Sequence, residues 1–323
     1  MNARTPPGAT AFALMILLCA TWGFQQVAIK IAGQSVSPLM QSGLRSTIAL
    51  LLLILWARWR GLALAQADGT LCAGLLAGSL FALEFAFIYL GLSYTTASRM
   101  IVALYTAPCF TVLGLHCFVP GEEMRRRHIL GVVLAFSGIV LGFADASGSR
   151  PDAWIGDLLG LLAALGWAAT TVLIRASGLA RISATKVLFY QLAVSAACLL
   201  PLSLLIGETG ITHLSAPVLL ALAYQGVIVA FASYLVWFWL LTRYLTTRLS
   251  VFSFLTPLFG VSFGVLLLGD RLTTSFAAAA ACVSAGCRRT CAICIISIRR
   301  SGRWRCVCRR ARGGCCGNRW RMR

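Results

Sequence analysis

The sequence predicts an all-α, polytopic membrane protein, and three observations lead to this class. Of its 323 residues 59% are hydrophobic and only 11% are charged, whereas soluble domains carry about 25% charged residues. The apolar residues fall into runs of roughly 17–25, the length that a bilayer-spanning helix needs. These runs show no alternation of polar and apolar residues, which favours helices over the strands of a membrane barrel.

Nine apolar runs follow one another along the chain, at 12–29, 37–56, 70–91, 97–119, 129–144, 154–174, 185–206, 216–241 and 249–268. A tenth begins near residue 275 and is interrupted by Arg288 and Arg289. An arginine at a helix centre costs about 2.5–3.5 kcal/mol on insertion scales. The sequence therefore predicts about ten transmembrane helices, of which the tenth is damaged.

Basic residues predict the orientation of these helices. If the N-terminus is cytoplasmic, the segments on the cytoplasmic side carry ten lysines and arginines before the tail, and the opposite side carries four. The positive-inside rule then places the N-terminus in the cytoplasm.

The chain contains an internal repeat. The stretch "ATWGFQQVAIK" at 20–30 resembles "ALGWAATTVLIR" at 164–175, and "YTTASRMIVALYTAPCFTVLG" at 94–114 resembles "YLTTRLSVFSFLTPLFGVSFG" at 244–264. Each half holds five spans, an odd number, so the second half enters the membrane from the opposite side and the repeat is inverted. The predicted domains are a first five-helix repeat at 1–144, a linker at 145–153, a second repeat at 154–287 and an arginine- and cysteine-rich tail at 288–323.

The repeat resembles a known family. The stretches "WGFQQVAIK" in the first helix, the fourth helix followed by "GEE", and "FLTPLFGVSFGVLLLGDRLT" in the ninth are similar to EamA-type members of the drug/metabolite transporter superfamily. This resemblance implies a ten-helix carrier of the bacterial inner membrane, with both termini cytoplasmic. It implies a secondary transporter that exports or exchanges a small polar, amino-acid-like metabolite by alternating access. A nucleotide-sugar or phosphorylated-metabolite exchanger is the alternative.

Two charges lie inside apolar runs, Glu84 in the third and Arg45 in the second. Charged residues at membrane depth are costly and mark sites of function or of pairing. We interpret Glu84 either as a proton-coupling carboxylate or as a ligand of a substrate ammonium group, with a structural partner of Arg45 as the alternative. Arg45 is expected to bind a substrate carboxylate bidentately, or else to pair with Glu84 or anchor a helix end.

Further candidates for a substrate cavity are polar and aromatic side chains of both halves, namely Trp22, Gln26, Tyr105, Trp167, Gln191 and Tyr224. The same residue types also serve aromatic belts and interhelical hydrogen bonds. Pro108 and Pro257 fall at matching places in the fourth and ninth helices, where a proline kinks a helix. We interpret them as hinges, with a static kink as the alternative.

The tail holds 12 arginines and no acid in residues 288–323, and residues 282–323 hold eight of the chain's 13 cysteines. Three interpretations stand beside one another: a zinc site, a basic segment that tethers nucleic acid or anionic lipid, and a frameshift in GC-rich DNA that starts around 276–283. No enzyme motif occurs, and we expect no metal and no cofactor. The expected partners are a small-molecule substrate, membrane lipids, a coupling proton and a second copy of the chain, but no nucleic acid.

Overall fold

A computed structural model of the chain describes residues 9–64, 66–119, 151–243 and 255–271, with shorter stretches between 129 and 141 and between 273 and 285. The helices in chain order are α1 (Ala9–Ala32), α2 (Pro38–Trp59), α3 (Leu71–Tyr94), α4 (Ala97–Leu104), α5 (Ala107–Phe118), α6 (Ala153–Ala176), α7 (Ala184–Leu205), α8 (Ala216–Ala223), a π-helix (Tyr224–Ser233), α9 (Tyr234–Arg243) and α10 (Leu255–Leu268).

Seven helical spans in the described residues are long and apolar enough to cross a membrane. Helices α4 and α5 together form one of them, Ala97–Phe118, and α8 continues through the π-helix to form another, Ala216–Trp237. Helix α10 is apolar but shorter, and residues 244–254 before it lie outside the described part. The all-helical, membrane-spanning class is thus confirmed. Parts of the fifth predicted span, 129–144, and the whole of the tail, 288–323, lie outside the described residues, so the count of ten stays a prediction.

The two halves pack into each other. Helix α1 packs against α10, α8 and the π-helix, while α6 packs against α4, α5 and α3. Helices α2 and α7 pack against each other, and each also contacts the third span of the opposite half. The same set of contacts results when the first and second halves are exchanged.

The fourth span is broken rather than kinked at its proline. Helix α4 ends at Leu104, Tyr105 and Thr106 form a turn, and α5 begins at Ala107. Pro108 therefore lies in the first turn of α5, where a missing N–H costs no intrahelical hydrogen bond. The Thr106 hydroxyl donates to the Ala103 carbonyl at 2.7 Å, which satisfies a backbone acceptor at the break. At Pro108 the described chain thus has no kink inside a continuous helix. Instead the turn formed by Tyr105 and Thr106 directly precedes α5, the helix that carries Pro108.

Candidate functional site

Arg45, on α2, is fully buried among the helices. Its guanidinium group lies 3.8 Å from the centre of the Phe85 ring and 6.0 Å from that of Phe81, both on α3. None of the three guanidinium nitrogens makes a well-formed hydrogen bond within the described part of the chain, although the Tyr234 hydroxyl comes near enough to interact with them. The rings supply a cation–π attraction, and most of the five N–H donors of the arginine are left without an acceptor among the described residues.

Glu84 lies on the same helix as these rings and is only 7% exposed. It interacts electrostatically with Arg45, yet the two side chains do not form a direct ion pair, because no guanidinium nitrogen makes a well-formed hydrogen bond within the described residues. Helix α6 passes close to Glu84 at Gly166, where an added Cβ would lie 3.3 Å from the Glu84 Cβ. The structure thus brings Arg45 and Glu84 to one site without joining them.

Tyr234 completes this site, and the sequence analysis missed it. Its side chain interacts with Arg45 both electrostatically and as a hydrogen-bonding neighbour, interacts electrostatically with Glu84, and packs in the same aromatic cluster as Phe85. The repeat contains a signal for it. Matching Tyr94 with Tyr244 and counting ten residues back in each half places Glu84 over Tyr234.

A network of buried amides lies beside the charged pair. The Tyr89 hydroxyl donates to Gln225 Oε1 at 2.6 Å, and Gln41 Nε2 donates to the same oxygen at 3.3 Å. Gln225 Nε2 donates to the Ala28 carbonyl, and Gln41 Nε2 also donates to the Ile29 carbonyl, each at 3.2 Å. This network joins α1, α2 and α3 to the π-helix of the second half. Gln41 and Tyr89 were not among the predicted residues.

Trp22 and Gln26 lie on α1 and face the second half differently. The Trp22 indole donates to Ser233 Oγ at 2.9 Å, and its ring meets that of Trp237 edge-on at 5.8 Å. Gln26 is only 2% exposed, and its Oε1 has no hydrogen-bond partner among the described residues. Trp22 is thus engaged in holding α1 to the eighth span, whereas Gln26 keeps an unused acceptor in the interior.

Tyr105 and Trp167 form the matching aromatic contact on the other side of the site. Their rings meet edge-on with centroids 5.7 Å apart, and Trp167 also packs against the cluster that holds Phe85. Gln191 is 9% exposed on α7.

Tyr224 lies apart from these residues. It lines an apolar groove of about 610 Å³ between α1, α8 and the π-helix, together with Phe24, Pro217 and Val227. Its hydroxyl donates to the Thr21 carbonyl at 2.9 Å. The structure therefore does not bring Tyr224 to the charged site.

Polar contacts also tie the halves together outside the charged site. Glu208, after α7, accepts the backbone N–H groups of Leu39 and Met40 at 3.1 Å each and thereby caps α2, whose own N-cap residue Ser37 makes no side-chain cap. Close by, Val36 and Ile211 form a β-bridge.

Asp68, in the connection between α2 and α3, makes the corresponding contact. Its carboxylate lies 2.7 Å from Lys186 Nζ in the first turn of α7 and 2.6 Å from the Thr70 hydroxyl. The hydrogen bond from Lys186, followed by that from Thr70, lowers the pKa of Asp68 to about 2. Each half thus uses an acid after its second helix to hold the start of the second helix of the other half.

Pro257 is buried in the first described turn of α10. Among the described residues no three His, Cys, Asp or Glu side chains gather into a group able to hold a metal ion.

Comparison with known proteins agrees with the repeat and the membrane spans. The EamA-like transporter family matches the chain twice, over residues 9–143 and 154–289. The chain is 30% identical over 264 residues to an uncharacterized transporter of Archaeoglobus fulgidus, covering 80% of this chain and 89% of the relative. It is 26% identical over 267 residues to a probable amino-acid metabolite efflux pump of Escherichia coli K12, covering 80% of this chain and 87% of the relative. A crystal structure with 22% identity superimposes with a TM-score of 0.63, covering 91% of this chain and 99% of the other, and supports the fold. The chain belongs to the EamA-like transporter family.

Proposed function

We propose that this chain is a secondary transporter that exports or exchanges a small polar, amino-acid-like metabolite across the bacterial inner membrane. The observation that carries the proposal is the set of polar side chains buried between the two halves, among them Arg45, Glu84, Gln26 and Gln191. Polar groups at membrane depth are expensive and are kept where they serve a substrate or ion path. The relatives in Escherichia coli and Salmonella typhimurium, both named probable amino-acid metabolite efflux pumps, support this substrate class.

Alternating access through two inverted five-helix repeats, at 1–144 and 154–287, is the proposed mechanism. The two family matches and the reciprocal packing of the halves support it. In such carriers the substrate site lies near the midplane between the repeats, and one half moves against the other around it. The contacts of Glu208 and Asp68 are suited to act as closures of the two ends. Both termini are proposed to be cytoplasmic.

Within this mechanism the residues take different roles. Arg45 and Glu84 would meet the substrate, with Gln26 and Gln191 as further polar ligands. Trp22, Tyr105 and Trp167 would form aromatic walls, because each is already held by an edge-on ring contact. Tyr224 would contact the substrate only if the substrate entered the apolar groove that this residue lines. Pro108 and Pro257 would act as hinges in the fourth and ninth spans.

Efflux from proteoliposomes tests the proposal. The purified protein is reconstituted, the vesicles are loaded with single radiolabelled amino acids, and loss of label is compared with that from protein-free vesicles. We expect faster efflux for at least one amino acid, and loss of that efflux in Glu84→Gln with normal expression and folding. Arg58→Gln, an exposed position on α2, is the matched control. If no amino acid leaves the vesicles faster than it leaves protein-free ones, the proposal is wrong.

No observation favours a nucleotide-sugar or phosphorylated-metabolite exchanger. Such substrates carry two or more negative charges and call for several basic groups in the cavity. Among the described residues the buried cations are Arg45 and Lys186, and Lys186 is already bound to Asp68. The third hypothesis, a tail-mediated binder of nucleic acid or lipid, concerns residues outside the described part. Deleting residues 288–323 separates it from the carrier, since only the binder would lose its function.

A further inference from the structure

We propose that Arg45 and Glu84 are the two poles of a binding site selective for zwitterions, in which Arg45 holds the ligand's carboxylate and Glu84 holds its ammonium group. The inference rests on the proposed function, because it takes this place as the ligand site of the carrier. It adds which charged groups a ligand must carry, and which of them faces Arg45 and which faces Glu84.

The first step is the separation of the two charges. Both side chains are at least nine-tenths buried and interact electrostatically. Opposite charges in a medium of low dielectric constant gain most by direct contact. Here the guanidinium is held instead over Phe85 at 3.8 Å, with Tyr234 as a polar neighbour that interacts with it. The aromatic support therefore keeps Arg45 and Glu84 from direct contact, and most N–H donors of Arg45 have no acceptor among the described residues.

The second step is the chemistry that fills this arrangement. The planar fork of an arginine matches a carboxylate through two parallel N–H···O bonds. Glu84 in its ionised form accepts hydrogen bonds from an ammonium group. A ligand that carries both groups on neighbouring atoms would bridge the two helices, and Tyr234, which interacts with both charges, lies beside it as a further polar neighbour.

The third step concerns selection. A zwitterion adds no net charge to the buried site and satisfies both poles at once. A ligand with only a carboxylate leaves Glu84 unpaired, and one with only an ammonium group leaves Arg45 unpaired. Leaving one member of a buried charge pair without its partner is strongly unfavourable. The site should therefore reject both singly charged analogues, even when they have the same side chain.

A ligand series on the full-length wild-type protein, purified in detergent, tests this selection. The melting temperature is measured with each proteinogenic L-amino acid at about 10 mM, since a ligand that binds the folded state raises it. The amide and the N-acetyl derivative of the best amino acid are then compared with the parent. We expect a shift of several degrees with the parent and at least a tenfold weaker apparent affinity for both derivatives. Absence of a shift with every amino acid overturns the inference, as does equal binding of either derivative.

Two variants test the direction of the ligand. Arg45→Gln should lose the zwitterion but bind the amide, whose remaining charge is the ammonium group. Glu84→Gln should lose the zwitterion but bind the N-acetyl derivative. Arg58→Gln should keep the wild-type preference. If the pair had a purely structural role, the two variants would not come to prefer opposite derivatives in this crossover. Folded variants that keep the preference for the zwitterion overturn the inference.

The outcome can be separated from that of the proposed function. If the protein moves an amino acid across vesicles but binds its amide or N-acetyl derivative equally well, the carrier function stands and the charge-selective site is wrong. If the zwitterion binds with the predicted crossover but no flux is measured, the site stands and the carrier function is wrong.

Discussion

Lys186 Nζ lies 2.7 Å from Asp68 Oδ2 and joins the first turn of α7 to the connection that precedes α3. Glu208 makes the reciprocal contact, because it follows α7 and accepts the N–H groups at the start of α2. Each acid thus binds a group of the opposite half. A carrier that opens its two ends in turn would have to release these two contacts in turn.

The first prediction is that the two contacts control different ends. Asp68→Asn weakens the bond to Lys186 and should speed backbone amide exchange in residues 61–70 and 178–186. Glu208→Gln removes a charged cap and should speed exchange at Leu39 and Met40 and in residues 207–212. Hydrogen–deuterium exchange followed by mass spectrometry reports both regions in one experiment.

Arg58→Gln serves as the control for this experiment, because Arg58 is exposed at the end of α2. The interpretation of the acids as separate closures fails if both variants speed exchange equally at both ends. A shift of the conformational equilibrium toward opening one end should leave the other end equally protected or better protected.

The second prediction concerns pH. The pKa of Asp68 is lowered to about 2 by its hydrogen bonds from Lys186 and Thr70, whereas an unperturbed aspartate titrates near 3.9. A lowered pKa means that the contact contributes stability above about pH 4 and loses it as the pH falls toward 2. Between roughly pH 5 and 8 the contact should not titrate. Asp68→Asn should therefore leave the shape of the pH–efflux profile unchanged over that range, and a shifted midpoint would contradict this.

The third prediction concerns the amide network. Tyr89→Phe removes the hydroxyl that donates to Gln225 Oε1 at 2.6 Å and should cost about 1 kcal/mol of stability. Gln225→Leu also strips a partner from Gln41 and should cost about 1–3 kcal/mol, because buried donors lose their acceptor. The free energy of unfolding in mixed micelles measures both changes. Tyr94→Phe, at a partly exposed tyrosine, should change it little.

A double-mutant cycle decides whether the network acts as a unit. If Tyr89 and Gln225 interact as the structure indicates, the double variant should lose less than the sum of the two single variants. Additive losses would show that the hydrogen bond contributes nothing to stability.

The sequence predicted the all-helical, membrane-spanning class because span length and apolar content are properties of contiguous residues. It also brought out Arg45 and Glu84, since a charge in an apolar run is conspicuous. Tyr234 was missed because a tyrosine in an aromatic-rich span is ordinary, although the repeat places it over Glu84. The contact of Glu208 with α2 was not foreseeable, because it joins residues 169 positions apart through backbone groups.

Tyr224 shows a different limit of sequence analysis. It begins a π-helix, Tyr224–Ser233, whose wider turn changes which residues share a face. The sequence carries no clear signal for this change of period. Tyr224 was a candidate for the cavity because it is a polar aromatic residue of the second half, whereas its ring lines the apolar groove next to α1.

The fourth prediction concerns the close approach of the backbones of α6 and α3 at Gly156. A Cβ added at Gly156 on α6 would lie 2.6 Å from the Gly91 carbonyl oxygen and 2.7 Å from the Thr95 nitrogen, both backbone atoms of the third span and its end. Backbone atoms cannot rotate away as a side chain can, so Gly156→Ala should destabilise the protein by about 1–3 kcal/mol. Gly178→Ala is the matched control, because its Cβ would meet the Thr70 Cγ2 at an ordinary 3.5 Å. Equal melting temperatures of the two variants would contradict this packing.

The fifth prediction tests the hinge at the break between α4 and α5. Pro108 lies in the first turn of α5, just after the turn formed by Tyr105 and Thr106. In a continuous helix the ring of Pro108 would clash with the carbonyl of Leu104, four residues before it, and its nitrogen could not donate to that carbonyl, so the proline favours the break. Pro108→Ala removes this restriction and lets α4 and α5 approach one continuous helix.

If the break is a hinge of transport, Pro108→Ala should lower the maximal efflux rate several-fold. The apparent affinity for the substrate should change much less than the rate, because the charged groups Arg45 and Glu84 lie on α2 and α3, outside the turn. Pro217→Ala, at the first turn of α8, is the control for removing a helix-start proline elsewhere, and it should keep the wild-type rate. A Pro108→Ala protein with an unchanged rate would assign the break to packing alone, since a static turn can straighten without slowing a movement in which it takes no part.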